Sequence, residues 1–339
     1  MAHSLKQFLP GLMRGEDLSR AEAAELLDAL LDPEATDSQI AATLIALKVK
    51  GETFEELAGL AEAMRARAVR ITSRHACFID TAGTGSSRVK TFNVSTAAAF
   101  VIAGAGLAVA KHGNRAASSR CGSADVLAVL GVNVSVSPEV SERCLNEIGI
   151  CFMFAPLYHG ATARVTNVRR ELGVQTTFNL LGPLTNPAHA PRQIIGVSSP
   201  DAIEPVASAL ALLGTERAWV VHGADGLDEV TIADKTFVAE ARHGEVRKFE
   251  IAPEDFGFER VSLDGLSSGD AEVNAGVIRA VLSGERRDAA RTLVIVNAAA
   301  ALRVGGVTSD LREATLLAQQ SIDSGEAQKK LDQLVRATN

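Results

Sequence analysis

Two strand–loop–helix patterns follow one another between Phe78 and Gly131, and they constrain the fold more than any other part of the chain. In the first, an apolar run ends at Asp80 and is followed by the glycine turn 82–85 and an alanine-rich helix pattern. In the second, the apolar run 107–110 opens into a polar loop that precedes another helix pattern. Short apolar strands that alternate with helices are typical of a mainly parallel sheet with helices on its faces.

The chain divides into two predicted domains. Residues 1–72 show helix patterns only and predict a small α-helical domain, which a helix near 165–190 could complete. Residues 73–339 predict a large α/β domain with a mainly parallel central sheet. Its expected strands are 77–81, 107–111, 132–134, 150–154, 193–197 and 219–222, with a local antiparallel excursion over 230–232, 236–240 and 246–251. Its expected helices are 95–105, 123–131, 138–148, 159–171, 202–214, 271–283 and 288–304.

Composition narrows the class of protein. The 339 residues carry a net charge of −7, which argues against a general nucleic-acid binder with a basic face. No uninterrupted apolar run reaches the roughly 20 residues that a membrane span requires. The four cysteines form no CxxC pair and no secretory leader precedes them, so we expect reduced thiols in a cytoplasmic protein.

The start of the first predicted helix is rich in hydrogen-bonding side chains, at Thr91, Asn93, Ser95 and Thr96. Ordinary N-capping accounts for one or two of them but not for all four. The preceding turn is not a dinucleotide fingerprint, because Arg88 stands where GxGxxG requires its third glycine. Helix N-termini present unpaired N–H groups and bind phosphate, so this segment predicts a phosphate site.

The second loop concentrates donors between Lys111 and Ser119. Lys111 is expected to act as a point charge on phosphate, and Ser118 and Ser119 as hydroxyl and backbone donors. For His112 three roles stay open: general acid or base, ligand contact, and a purely structural residue. The two loops together predict a site for a phosphorylated and specifically a diphosphorylated substrate; the alternative is a solvated charged surface.

The adjacent acids Asp228 and Glu229 follow a predicted strand and a turn. Acids in a turn are usually only solvated. Beside a polyphosphate, however, they are good Mg²⁺ ligands, since magnesium takes few carboxylates and keeps its other positions for water and phosphate. Ser95, at a helix start that faces phosphate, is a further candidate ligand.

A helix flanked by proline-containing segments carries Arg164, Arg169 and Arg170. A guanidinium group in such surroundings suits a carboxylate ligand, which it grips with two parallel hydrogen bonds. The alternative for one of these arginines is a surface ion pair with Glu171.

Several long motifs, in the same order, resemble those of the anthranilate phosphoribosyltransferases. They are GTG…TFNVSTAAAF, KHGNRAASSRCGSADVLAVLG, FMFAPLYHGA, VRRELGVQTTFNLLGPLTNP and VVHGADGLDEV, and the resemblance covers nearly the whole chain. It implies a homodimer formed through the helical domain and a large domain of the nucleoside-phosphorylase kind. It also implies transfer of phosphoribose from phosphoribosyl diphosphate (PRPP) to the amino group of anthranilate, with Mg²⁺ and release of pyrophosphate, in tryptophan biosynthesis.

The resemblance also assigns roles to individual residues. The residues implied to bind PRPP are Gly83, Ser86, Ser87, Thr91, Asn93, Val94, Ser95, Thr96, Lys111, His112, Gly113, Asn114, Arg115, Ala116, Ala117, Ser118, Ser119 and Ser123. Those implied to bind anthranilate are Gly83, His112, Asn114, Arg169 and Pro183. The implied Mg²⁺ ligands are Ser95, Asp228 and Glu229. Catalysis is expected to depend on Lys111, which would stabilise the departing pyrophosphate, and on Asn114 and Arg169, which would hold the acceptor.

One departure from the family pattern falls at residues 86–88, where this chain has Ser-Ser-Arg in place of the usual Gly-Asp-Gly. The missing acid often helps to hold a magnesium ion or the ribose diphosphate in the family. We predict that Ser87 and Arg88 hold the diphosphate more directly, with a looser metal dependence. Replacing Ser86 and Ser87 by glycine and aspartate and titrating Mg²⁺ tests this, and an unchanged metal requirement would count against it.

Two other functions compete with this one. A pyrimidine nucleoside phosphorylase belongs to the same fold group and would use inorganic phosphate and a nucleoside, but the KHGNR and GPLTNP segments match the anthranilate enzymes. A non-catalytic nucleic-acid-binding relative is disfavoured by the acidic pI and by the intact pair Asp228–Glu229.

Overall fold

A computed structural model describes residues 4–85, 89–116 and 120–339 of the chain. Four helices come first: α1 (Leu5–Met13), α2 (Arg20–Leu31), α3 (Asp37–Lys50) and α4 (Phe54–Arg67). Each of the last three begins with a capping box, formed by Ser19 with Glu22, Thr36 with Gln39, and Thr53 with Glu56. These side chains satisfy the N–H groups that a helix start leaves unpaired, so the local sequence fixes where each helix begins.

A seven-stranded sheet organises the rest of the chain. Its strands are β1 (Phe78–Asp80), β2 (Ala108–Gly113), β3 (Ile150–Phe154), β4 (Arg192–Gly196), β5 (Arg217–Gly223), β6 (Thr236–Arg242) and β7 (Glu245–Ile251). They lie in the order β3-β2-β1-β4-β5-β6-β7. The first five strands pair in parallel, and β6 and β7 continue the sheet as an antiparallel hairpin. The predicted mainly parallel sheet with a local antiparallel excursion is therefore confirmed.

The other helices lie between and after the strands in the chain. They are α5 (Val94–Gly104), α6 (Ser123–Val129), α7 (Pro138–Ile148), α8 (Ala155–Tyr158), α9 (Ala163–Leu172), α10 (Phe178–Leu184), α11 (Ile203–Leu212), α12 (Ala271–Leu282), α13 (Ala289–Val304), α14 (Leu311–Asp323) and α15 (Glu326–Thr338). Alternate residues of β5 point to different cores: Trp219 and Val221 join one apolar cluster, and Ala218 and Val220 join the other. This is the two-sided burial expected of a parallel sheet.

Residues of α9 and α10 pack with the N-terminal helices. The second apolar cluster unites side chains of α1–α4 with Val165, Val168, Phe178, Leu181 and Leu184. The division of the chain into a helical domain at 1–72 and a large domain at 73–339 stays a prediction. Among the described residues, none of the helices is both long and apolar enough to cross a membrane.

The segment 132–134 was predicted as a strand, and this is wrong. Val132 donates its N–H to the Leu127 carbonyl at 2.9 Å and so closes the end of α6. Asn133 donates its N–H to Thr338 Oγ1, 3.2 Å away at the end of α15. The two valines of the segment are buried by packing on helices, which gives the same apolar pattern as a short strand.

The predicted strand at 230–232 is also wrong. The backbone of Val230 pairs with the side chain of Asn297 in place of a neighbouring strand. The short helix α8 and the C-terminal helices α14 and α15 were not predicted. The other predicted strands and helices are present, with ends displaced by a few residues at most.

The strand order reverses between β1 and β4. From β1 the sheet continues to β2 and β3 on one side, and from β4 to β5 on the other. In open parallel sheets, ligands bind outside the carboxyl ends of the strands at such a reversal. Asp80 ends β1 and Gly196 ends β4, so the loops that follow these two residues border the expected crevice.

Candidate active site

Three backbone segments meet at Gly196, at the end of β4. Its carbonyl accepts the N–H of Thr84, in the first glycine loop, at 2.9 Å. A Cβ atom on Gly83 would lie 3.0 Å from the same carbonyl oxygen. On the other side, a Cβ atom on Gly196 would lie only 1.6 Å from the carbonyl oxygen of Asp228. The glycine loop and the acidic pair, distant in sequence, are therefore brought together at the crevice.

Lys111 is the buried cation of the site, with 4% of its surface exposed. Its Nζ donates to the carbonyl and the Oγ1 of Thr81, both at 3.0 Å, and to Ser95 Oγ at 3.3 Å. Burial lowers the pKa of Lys111, while the charges of Asp80 and Glu229 oppose this shift. An ammonium group held in this way is an electrostatic anchor for an anion that enters the crevice.

The carboxylate of Glu229 lies at the start of α5 and accepts the N–H of Ser95 at 3.2 Å. Burial and the neighbouring charge of Asp228 raise the pKa of Glu229, and Lys111 and Ser95 act in the opposite direction. The sequence predicted that the N–H groups at this helix start bind phosphate. One of them, the N–H of Ser95, instead donates to the carboxylate of Glu229. Burial disfavours the charged form of Glu229, so a cation bound beside Asp228 and Glu229 would stabilise it.

The oxygen atoms of Ser95, Asp228 and Glu229 are hard ligands of the kind magnesium prefers. Within residues 4–85, 89–116 and 120–339, no group of three or more His, Cys, Asp or Glu side chains is arranged to hold a metal. Magnesium sites on phosphate substrates typically use one or two carboxylates, with the substrate and water providing the other ligands. The donor set at this place in the crevice fits that kind of site.

Asp80 links the segments around the crevice, a role that the sequence analysis missed. One carboxylate oxygen accepts the N–H groups of Ala82 at 3.0 Å and His112 at 3.1 Å. The other accepts Asn186 Nδ2 at 2.7 Å. Burial raises the pKa of Asp80 to about 6, against the charge of Lys111 and these hydrogen bonds. The signal in the sequence was an acid that ends an apolar strand directly before a glycine turn.

Two buried histidines lie side by side, with the ring centroids of His112 and His159 5.2 Å apart. The Nδ1 atom of His112 is 3.1 Å from the Gly182 carbonyl, which fixes the proton on that nitrogen. Burial lowers the pKa of His112 to about 3 and that of His159 to about 4, so both rings are neutral near pH 7. The Nε2 atoms of both rings are buried and have no hydrogen-bond partner among the described residues. His159, which stands in the FMFAPLYHGA motif, was not predicted as a site residue.

Arg169 is held by α10 and the turn before it. Its Nε donates to Thr176 Oγ1 at 2.9 Å and its Nη2 to Asn179 Oδ1 at 3.1 Å. The guanidinium carbon lies 5.4 Å from the centroid of the Phe178 ring. Burial lowers the pKa of Arg169, and its hydrogen bonds are made to these neutral groups. Arg164, by contrast, forms a surface ion pair with Asp37 at 2.8 Å.

The base of the second loop is closed by Asp125. Its carboxylate accepts the N–H groups of Ala116 and Gly122, both at 2.9 Å, and Arg115 Nη1, also at 2.9 Å. Asn114 is exposed, and its carbonyl accepts Ser123 Oγ at 3.3 Å. These contacts hold the start of the loop against the start of α6.

The other predicted PRPP residues differ in what they can offer. Val94 and Thr96 are buried, with 1% of their surface exposed, so their side chains face the core. Asn93 does not cap α5 with its side chain; it accepts from Asn274 and donates to the Cys121 carbonyl. Thr91 forms an isolated bridge with Ser267. Five predicted PRPP residues lie outside the described part of the chain: Ser86, Ser87, Ala117, Ser118 and Ser119. Arg88, which we predicted to hold the diphosphate, also lies outside it.

Both parts of the chain match models of one protein family. Residues 6–68 match the helical bundle domain of a glycosyl transferase family, and residues 75–328 match its a/b domain. The crevice and this match define the class: a glycosyl transferase with a helical bundle and an α/β domain.

Full-length relatives identify the branch of this class. The anthranilate phosphoribosyltransferase of Moorella thermoacetica is 51% identical over 331 residues, 98% of this chain and 97% of the relative. The crystal structure of the enzyme from Thermus thermophilus superposes with a TM-score of 0.91 at 41% identity, over 97% of this chain and 98% of that one. The Saccharomyces cerevisiae enzyme in complex with PRPP and Mg has a TM-score of 0.90 at 27% identity, over 98% and 97%. The chain belongs to the anthranilate phosphoribosyltransferases.

Proposed function

We propose that the protein transfers the 5-phosphoribosyl group of PRPP to the amino group of anthranilate, giving N-(5-phosphoribosyl)anthranilate and pyrophosphate. The observation that carries this proposal is the contact between the buried Lys111 ammonium and Ser95, whose N–H binds the Glu229 carboxylate. This places one fixed cation and an acidic pair at the reversal point of the sheet. Such a set serves a polyphosphate and its metal, and the yeast relative was solved with both PRPP and Mg.

The difficult step is the departure of pyrophosphate from the anomeric carbon of the ribose. The C–O bond breaks with its electron pair on pyrophosphate, a C–N bond forms, and the proton that the amine loses passes to the released pyrophosphate or to water. Lys111 stabilises the charge that develops on pyrophosphate, and this kind of electrostatic help is usually the largest catalytic contribution. Bound Mg²⁺, held by Ser95, Asp228, Glu229 and the substrate phosphates, would supply further charge neutralisation.

The acceptor needs orientation more than activation. The aniline nitrogen is uncharged at neutral pH, so no residue has to deprotonate it before attack. Arg169, with Asn114, holds the acceptor, and such positioning contributes several kcal/mol. The neutral imidazoles of His112 and His159 keep their Nε2 atoms buried, without a hydrogen-bond partner among the described residues. Because burial depresses their pKa values, neither ring is a stable carrier of the proton that the amine loses.

The direct test is the loss of anthranilate fluorescence when enzyme, PRPP and Mg²⁺ are mixed. Pyrophosphate should form in equal amount, and leaving out PRPP should abolish both signals. A nucleoside phosphorylase would instead release a free base from a nucleoside and inorganic phosphate, without consuming anthranilate. A gel shift would reveal the nucleic-acid-binding alternative. Unchanged anthranilate fluorescence with the folded protein would refute the proposal.

Replacing Arg169 by alanine should weaken anthranilate binding selectively. Loss of a charge-assisted contact to a carboxylate is expected to raise the anthranilate KM about 10- to 100-fold. The PRPP KM should change by less than about twofold, because the hydrogen-bond partners of Arg169 (Thr176 and Asn179) are different from those of Lys111. Arg170→Ala, which alters the exposed neighbour, is the matched control and should behave as wild type. Equal losses for both substrates would contradict the assignment.

We further propose a homodimer formed through the helical domain and a cytoplasmic location. Met13 of α1 and Val49 of α3 are 79% and 82% exposed, and these helices pack on each other. Large apolar side chains left on an otherwise well-packed bundle suit a protein interface. Light scattering of the eluting protein tests this directly, since a monomer at micromolar concentration would exclude a stable dimer. The absence of nucleic-acid binding stays a prediction.

A further inference from the structure

A polar side chain lies in the middle of the apolar helix α13. The buried residues of α13 are otherwise aliphatic, yet Asn297 is among them, with 4% of its surface exposed. An amide in such a place is retained only if its hydrogen bonds are made. Asn297 makes three: Oδ1 accepts the Val230 N–H at 2.9 Å, and Nδ2 donates to the carbonyls of Val230 and Leu293 at 2.9 and 2.8 Å.

The partner of this amide is the residue that directly follows the acidic pair. Val230 lies between β5 and β6 and belongs to neither strand. Asn297 binds both its N–H and its carbonyl, as the backbone of a neighbouring strand would. The peptide that joins Glu229 to Val230 is therefore fixed in orientation by a helix 67 residues farther along the chain.

The other contacts of the turn hold it at different points. Asp228 rests against Gly196, where the spacing leaves no room for a side chain. Thr231 donates its N–H to Thr236 Oγ1 at 3.0 Å and its hydroxyl to Asp225 at 2.5 Å. The Asn297 contact acts from the helix layer on the backbone immediately after Glu229.

We propose that Asn297 is a positioning residue that aims the carboxylates of Asp228 and Glu229 at the metal–PRPP complex. This inference rests on the proposed function. Outer residues that orient metal ligands typically change metal affinity about 10- to 100-fold when they are lost. Loss of Asn297 should therefore weaken only the magnesium-dependent part of PRPP binding. Binding of anthranilate should be unchanged.

The test uses Asn297→Ser, because a serine hydroxyl can still bond to Leu293 within the helix while Val230 loses its partner. Asn297→Asp is the second variant; it keeps an acceptor for the Val230 N–H but lacks the amide N–H groups that bond to the Val230 and Leu293 carbonyls. Thr315→Val is the matched control, since Thr315 is equally buried and its hydroxyl bonds to Leu311 within α14. Thermal unfolding of all three confirms that they are folded.

Titration calorimetry then compares PRPP binding with Mg²⁺ and with EDTA. For both Asn297 variants we expect PRPP to bind about tenfold more weakly with Mg²⁺ and as in wild type with EDTA, whereas Thr315→Val changes neither value. The Mg²⁺ concentration for half-maximal activity should rise by a similar factor, and the anthranilate KM should stay within about twofold. PRPP binding that is unchanged in both variants, or weakened equally with and without Mg²⁺, would overturn the proposal.

Amide hydrogen exchange gives a readout that does not depend on turnover. The Val230 amide should exchange faster in Asn297→Ser than in wild type, and its rate in Thr315→Val should be unchanged. A protected Val230 amide in Asn297→Ser would refute the positioning role. Failure of the proposed function would look different: wild-type protein would then neither bind PRPP nor consume anthranilate.

Discussion

Replacing Gly196 by alanine is expected to lower kcat/KM for PRPP by at least about a thousandfold, because misplacement of catalytic groups by about 1 Å already costs about a hundredfold. The added methyl group would lie 1.6 Å from the carbonyl oxygen of Asp228, well inside the contact distance of any two atoms. The crowding cannot be relieved by a side-chain rotation, since the obstacle is backbone. Either the acidic turn or the end of β4 must move.

Both movements damage the site. If the acidic turn moves, Glu229 loses its contact with the Ser95 N–H. If β4 moves, the Gly196 carbonyl no longer holds the Thr84 N–H, and the first glycine loop shifts. The backbone angles of Gly196 do not themselves require glycine, since its φ is not positive. Glycine is required here because the Asp228 carbonyl approaches so closely that a side chain has no room.

The matched control is Gly276→Ala. Gly276 lies in α12, and a Cβ atom there would meet no atom within 4 Å. Alanine at this position should leave kcat and both KM values unchanged and raise the free energy of unfolding by about 0.4–1 kcal/mol. Steady-state kinetics with thermal unfolding distinguishes the two variants. A folded Gly196→Ala enzyme that keeps more than about a tenth of the wild-type kcat/KM would contradict the prediction. It would show that the turn with Asp228 and Glu229 can be displaced without loss of activity.

Local sequence determined much of the fold. The capping boxes at Ser19, Thr36 and Thr53 fix where three of the first helices begin, within a few residues of chain. The alternation of strands and helices likewise predicted the parallel sheet, since each signal is confined to one element. The failures also have local causes: the apolar pattern of 132–134 is produced by helix packing as readily as by a strand.

The candidate site was predictable where its chemistry is carried by neighbouring residues in sequence. Lys111, Ser95 and Glu229 were each indicated by their own loop, and the structure brings them into contact. The parts that could not be predicted depend on contacts between distant segments. Asp80 bonds to His112 and Asn186, and Gly196 touches Asp228, with no periodicity or motif that marks these pairs.

Replacing Lys111 by methionine is expected to remove most of the catalytic power without unfolding the protein. Methionine has a similar length and fills the buried space, but it leaves the buried carboxyls of Asp80 and Glu229 without the opposing charge of Lys111, a loss that typically costs about 3–5 kcal/mol. These two carboxyls, whose pKa values burial already raises, can take up protons, so we expect a folded protein with a lower unfolding temperature. The loss of one preorganised donor at a developing charge costs about 100- to 1,000-fold, and a full buried charge belongs at the upper end of that range. We therefore expect kcat/KM for PRPP to fall about a thousandfold, with the anthranilate KM nearly unchanged.

The control for this substitution is Lys248→Met, which removes an exposed cation of β7 that pairs with Glu204 at the surface. It should leave the kinetics unchanged, because exposed ion pairs contribute little. Lys111 is distinguished from it by its burial between Thr81 and Ser95, with 4% of its surface exposed. Circular dichroism and the thermal shift on adding PRPP with Mg²⁺ complete the comparison: Lys111→Met should be folded and show no shift. A Lys111→Met enzyme within about tenfold of wild type would mean that the magnesium ligands and loop amides alone stabilise pyrophosphate, and the electrostatic role given to Lys111 would then be wrong.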